Sequence, residues 1–159
     1  MVLHEVTTSG LRQYEKILVS DESEIENFII KHPDVVEKDL IILGNQVQTN
    51  LNKRVDVMGL DKNGNVVIME IKQKSTDRDV IAQILEYGVW AENLDSDTLK
   101  KIAEKHNTLE KYTELYKKLE EKEGGFPDLN ESQRCTSLRK KLIQAQKISR
   151  FIYKKKTLR

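Results

Sequence analysis

The sequence predicts an α/β domain in which one amphipathic helix leads into three consecutive strands and further helices follow. Three observations carry this. Apolar residues recur at helical spacing before Pro33 and after Thr76. Between those limits the segments DLIILGNQVQT, KRVDVMGL and NVVIMEIKQK are rich in β-branched residues. DKNGN supplies hairpin chemistry between the last two.

The first helix follows the Ser20 and Asp21 cap signals, places Ile25, Phe28 and Ile29 on one stripe, and is limited by Pro33. The strands with sequences KRVDVMGL and NVVIMEIKQK are expected as antiparallel neighbours, Gly64 taking the left-handed conformation that closes a short loop. Thr76 and Asp79 form a capping-box signal for a second helix, which carries Val80, Ile84, Tyr87 and Ala91 on one face as far as Asn93. Leu99, Ile102 and Ala103 indicate a third helix. Leu109, Tyr112, Leu115, Tyr116 and Leu119 indicate a fourth, which stops at Gly124 and Gly125.

A chain of 159 residues can bury a sizeable core without disulfides, and its lone Cys135 cannot form an internal one. No apolar run has the length of a membrane span and the start MVLHEVTTSG is unlike a signal peptide, so a cytoplasmic protein without membrane partners is expected. His4, His32 and His106 fall in different elements and make no ligand pair. Charge is divided sharply. Residues 1–131 carry 17 Lys and Arg against 26 Asp and Glu, a net −9, whereas residues 132–159 carry 10 Lys and Arg and no acidic residue. The expected division is therefore a domain over 1–131 and a basic C-terminal segment over 132–159.

If Lys62, Asn63 and Gly64 form the hairpin loop, Asp61 faces Asn65, paired positions sum to 126, and Asp56 stands opposite Glu70. Such cross-strand carboxylates lie about 5 Å apart at Cβ and repel unless a cation or another compensating group is present. Lys72 shares the Glu70 face because strand side chains alternate. A four-residue loop would instead move Asp56 to the other face. A strand-end Glu70–Lys72 salt bridge, with Asp56 solvated, is the structural alternative.

RVDVMGLDKNGNVVIMEIK resembles the central hairpin of the PD-(D/E)XK nuclease superfamily, and Glu22 to Leu94 resembles the nuclease domain of NucS-type endonucleases. The matching residues are Glu22, Arg54 and Asp56 in RVD, Glu70 and Lys72 in EIK, and Gln83 and Tyr87 in QILEY. The resemblance implies a mixed central β-sheet flanked by helices, a restriction-endonuclease-like core. It implies a metal-dependent endonuclease acting on DNA in repair or in restriction of foreign DNA. Mg²⁺ or Mn²⁺ would be held by Asp56, Glu70, the Ile71 carbonyl and Glu22, hard oxygen donors of the kind such ions prefer. Lys72 and Gln83 would complete the catalytic set, and Arg54, Lys74 and Tyr87 would meet nucleic acid.

Two other readings stand beside this one. The first is a noncatalytic nucleic-acid-binding module that retains the fold. The second is an interaction fragment forming a homodimer through Tyr112, Tyr116 and the leucines of the late helix. FPDLNESQR is weakly similar to the approach to the last family strand, but CTSLRKKLIQAQK lacks that strand's apolar character. The C-terminal segment is thus expected to be truncated or atypical, which puts the final strand in doubt.

Overall fold

The computed structural model describes residues 3–7, 10–16, 21–72, 77–139 and 153–155. The elements are β1 (Leu3–Thr7), β2 (Gly10–Lys16), α1 (Glu22–Lys31), β3 (Ile41–Gln48), β4 (Arg54–Leu60), β5 (Val66–Lys72), α2 (Asp77–Glu92), α3 (Ser96–Lys105), α4 (Leu109–Glu123), β6 (Arg134–Arg139) and β7 (Tyr153–Lys155). They form a four-stranded mixed sheet of order β3-β4-β5-β6 and a separate three-stranded sheet of order β1-β2-β7. The α/β core is the one expected, a mixed sheet flanked by helices.

Local chemistry sets the helix limits. Asp21 caps α1, its carboxylate accepting the Glu24 amide at 2.9 Å, and Asp95 caps α3 through Thr98 at 2.8 Å. Gly124, at φ +72°, ends α4 in the left-handed conformation that glycine adopts without cost. Thr76, the expected cap of α2, lies outside the described residues.

β5 is the central strand. It runs antiparallel to β4 and parallel to β6, and α2, α3 and α4 form the crossover that a parallel pair requires. Its alternate residues serve two cores. Val66 and Ile68 pack with Tyr87, Trp90, Leu99, Tyr112 and Leu119 from the three helices. Val67, Met69 and Ile71 pack with Ile25 and Ile29 of α1. Glu70 and Lys72 follow Val66 and Ile68 on the period-2 pleat.

The hairpin has the expected register. Val57 pairs with Met69 and Leu60 with Val66, while the Asp61 amide donates to the Asn65 carbonyl at 3.0 Å and Gly64 takes φ +82°. The far end is held by side chains. Asn130 donates to the Ala91 and Leu94 carbonyls at the end of α2 and accepts the Val66 amide at 3.3 Å. Arg134 reaches the nearly buried Asp61 at 2.9 Å and Glu37 at 2.8 Å.

The structure adds to or departs from these readings at three points. The final strand is present: β6 pairs with β5 from Val67↔Arg134 to Lys72↔Arg139, so the sheet crosses the compositional break at Ser132 and does not stop at residue 131. Backbone pairing to a central strand does not require apolar side chains at an edge. The N-terminal hairpin β1–β2 and its partner β7 were unforeseen. The late-helix face expected for self-association is core, since Tyr112, Leu115 and Leu119 are buried and the Tyr112 hydroxyl donates to the Ser96 carbonyl at 3.0 Å. Large apolar side chains are instead exposed on α2, at Ile81, Leu85 and Val89.

A Cβ at Gly64 would lie 2.5 Å from Leu129 Cδ2, on a backbone that side-chain-bearing residues rarely adopt. Gly64→Val is expected to lower unfolding free energy by about 1–3 kcal/mol. Urea denaturation checks this, with the midpoint falling and the slope unchanged.

Candidate active site

Asp56, Glu70 and Lys72 converge where β4 and β5 part. The paired backbone positions reach Val57↔Met69, and beyond them the Asp56 side chain takes over, its Oδ2 accepting the Ile71 amide at 2.7 Å. Lys72 Nζ lies 2.9 Å from Glu70 Oε1 and 4.0 Å from Asp56 Oδ2. Glu70 is 1 % exposed, and among the described residues its buried Oε2 accepts no hydrogen bond. Leaving a buried carboxylate oxygen without a donor costs free energy unless something outside the chain supplies positive charge.

Helix α1 and strand β3 close the other side. Gln46 Nε2 donates to Glu26 Oε2 at 3.1 Å and to Asp56 Oδ1 at 3.3 Å. Glu22 begins α1 one turn before Glu26, and its charge acts on Glu26, Glu70 and Lys72.

The electrostatics follow from this crowding. Burial pushes Glu70 above the ordinary glutamate range. The Lys72 hydrogen bond opposes that shift, and the Asp56 charge adds to it. Glu26 is raised by the same cause, against the Gln46 hydrogen bond and with the Asp56 and Glu22 charges. Burial pulls Lys72 down, but the Glu70 hydrogen bond and the surrounding carboxylates outweigh it and hold the ammonium above its usual value. Lys72 is therefore a cation at neutral pH.

The donor set suits a hard divalent cation, for which one or two carboxylates with waters and a phosphate are a common environment. Among the described residues no three His, Cys, Asp or Glu side chains form a preassembled metal cage. Of the expected donors, Asp56 and Glu70 stand together, and the Glu70 oxygen without a donor among the described residues is the feature that fits an ion.

This arrangement sits within a recognisable family segment. Residues 21–103, just over half of the chain, match the family described as the endonuclease NucS C-terminal domain. The chain belongs to that family. It is 33% identical over 88 residues to endonuclease NucS of Pyrococcus horikoshii, covering 55% of this chain and 34% of that one. It is 32% identical over 114 residues to endonuclease NucS of Pyrococcus abyssi, covering 70% and 43%. A repair endonuclease crystal structure from P. abyssi shares 27% identity over 79% of this chain and 50% of that one, with a TM-score of 0.41. The chain spans between about a third and two fifths of the length of these curated NucS relatives.

Within the NucS-type segment, Asp56, Glu70 and Lys72 are brought together, Ile71 joins them through its amide, and Glu22 stands half-buried on the adjoining helix. Gln83 is half-buried on α2 and makes no hydrogen bond to these carboxylates. Arg54 is exposed at the start of β4, whereas Lys74 lies outside the described residues. The expectation that Tyr87 meets nucleic acid is corrected. Its ring is 1 % exposed and its hydroxyl, pushed up to about 12 by burial and then by the Glu70 and Asp56 charges, donates to the Arg54 carbonyl at 2.7 Å. Tyr87 therefore fixes the strand that carries Arg54. Glu26 and Gln46 were missed. The signal for Glu26 was its i, i+4 relation to Glu22; Gln46 stands between Asn45 and Gln48 in the polar half of its strand, and no sequence signal sets it apart from those amides.

Because Glu26 holds its proton more tightly in the folded chain, folding stability falls as pH rises from the ordinary glutamate value through the folded one. Glu26→Gln removes that slope. Its melting temperature relative to wild type is expected to climb between about pH 4 and pH 7, measured by calorimetry without divalent cations.

Proposed function

We propose that the chain carries a divalent-metal-dependent nuclease site of the PD-(D/E)XK type that hydrolyses DNA phosphodiester bonds as an endonuclease. The observation that carries this reading is the buried Glu70 oxygen without a donor, set beside Asp56 and the Lys72 cation. Family membership supports it, since the named relatives are endonucleases. The activity of those longer proteins comes to this shorter chain as part of the proposal.

Asp56 and Glu70, with the Ile71 carbonyl and Glu22, would hold Mg²⁺ or Mn²⁺. When bound, the ion supplies Lewis acidity at the scissile phosphate and a more acidic water. The Asp56 side chain is already fixed by the Ile71 amide, so the ligand oxygens need little reorganisation. Lys72 stabilises negative charge on the phosphate oxygens and orients or activates the attacking water. Water oxygen forms the new bond to phosphorus as the ester P–O bond breaks, and one proton of that water ends on the leaving oxygen, giving a phosphate monoester and a hydroxyl. Arg54 and Lys74 neutralise flanking phosphates, and Gln83 reaches the substrate from α2. With a net −9 over residues 1–131, phosphate contacts are local to these cations.

Incubation with labelled single-stranded, duplex and branched DNA under Mg²⁺, Mn²⁺ or chelator tests the proposal. Cutting is expected only with metal, absent in Asp56→Ala and Glu70→Ala and reduced about 10²–10³-fold in Lys72→Ala. Salt-sensitive DNA binding without cleavage by the wild type under any metal would sink the nuclease reading and leave the noncatalytic module in its place.

A further inference from the structure

The geometry points to Gln46 as a positioning residue that clamps Asp56 of β4 and Glu26 of α1 into one acidic pair and so sets the affinity of the site for a divalent cation. This inference rests on the metal-dependent reading proposed above and extends it to a strand that carries no expected site residue.

Backbone, register and side chain agree on this assignment. Gln46 has φ +50° within β3, in the left-handed region that costs a residue with a side chain about 1–3 kcal/mol. The other described non-glycine residues at positive φ are Asp39, Asn52, Asn107 and Asn130, whose short polar side chains tolerate that region, and all four lie outside helices and strands. Gln46 alone among them is neither Asn nor Asp and lies inside a strand. The ladder continues on both sides of it, with Asn45 opposite Val57 and Val47 opposite Val55, so Gln46 stands across from Asp56.

The side-chain amide nitrogen lies within hydrogen-bond distance of both carboxylates, 3.1 Å from Glu26 Oε2 and 3.3 Å from Asp56 Oδ1. Two carboxylate acceptors fix the amide orientation, because its carbonyl could bond neither ionised partner. Asp56 is then held at both oxygens by donors from different strands, Gln46 at Oδ1 and the Ile71 amide at Oδ2. A hydrogen-bonded carboxylate retains lone pairs for an ion, and loss of such an outer partner typically weakens metal binding about 10–100-fold.

The test is Mn²⁺ binding to the purified full chain by isothermal titration, beside metal-free melting curves. Gln46→Met keeps the length and removes the donors. It is expected to weaken Mn²⁺ binding about 10–100-fold without lowering the metal-free melting temperature. Gln46→Glu is expected to weaken it as well; retained or tighter binding there would mean that the side chain acts as an oxygen ligand, and would overturn the clamp. Gln46→Gly relieves the left-handed backbone, so it should melt higher while binding Mn²⁺ more weakly. If Glu70→Ala abolishes binding but Gln46→Met matches wild type, the clamp fails and the metal site stands. If wild type and Glu70→Ala bind alike, or neither binds, the metal site fails and this inference falls with it.

Discussion

The constraint on which the structure depends is the burial of Glu70 in a strand that is inaccessible on both faces. From Val66 to Ile71 every residue of β5 is buried, so this carboxylate cannot turn to water without unpairing the central strand. Lys72 answers one oxygen at 2.9 Å and the other has no donor among the described residues. A well-packed apolar residue would cost less there, since exchanging buried ion pairs for hydrophobic groups of similar volume is often neutral or stabilising. Stability of the sheet does not account for a charge at this position; the proposed metal site would give it a role.

That chemistry is only as well placed as the register, and the register is fixed at the opposite end of the hairpin. Asp61 accepts the Asn63 and Asn65 amides through one oxygen and Arg134 through the other. Asn130 joins the last turn of α2 to the first residue of β5, while Asn65 accepts the Ser132 amide at 2.9 Å. A one-residue slip would send Glu70 to the α1 core and Ile71 to its place. The loop residues from 129 to 134 therefore act on the site at a distance, by holding β4, β5, β6 and α2 in one alignment.

Much of this was legible because the decisive signals are local. The cap at Asp21, the Gly64 turn and the β-branched runs specify α1 and β3 to β5 within a few residues, and a loop of Lys62, Asn63 and Gly64 gives the register that brings Asp56 and Glu70 together. The parts that stayed hidden depend on partners distant in sequence. β6, with polar residues such as Arg134 and Ser137, is a strand because the β5 edge offers it backbone hydrogen bonds, not because its side chains alternate. The β1–β2 hairpin draws its third strand from Tyr153–Lys155, at the other end of the chain. Tyr87 lies on the apolar stripe of α2 with Val80 and Ala91, but only the packed structure shows that its hydroxyl ends on the Arg54 carbonyl.

The departures from local rules share one address. A left-handed residue inside a strand, a buried carboxylate oxygen without a donor, and two glutamates pushed above their ordinary range all fall on Gln46, Glu70 and Glu26, drawn from β3, β5 and α1. Elsewhere Asp21 and Asp95 cap α1 and α3, a glycine takes the tight turn, and the buried Asp61 is fully partnered. Random imperfections would be scattered over the sheet. Concentration at the β4–β5 parting, where Asp56 and Lys72 also stand, means that one local demand competes with stability there and prevails. A bound cation would meet all of it at once. It would give the Glu70 oxygen a partner and lower the cost of ionising both glutamates. It would also offset the repulsion between Asp56 and its acidic neighbours, which among the described residues is met by the Lys72 ammonium, the Gln46 side-chain amide and the Ile71 backbone amide.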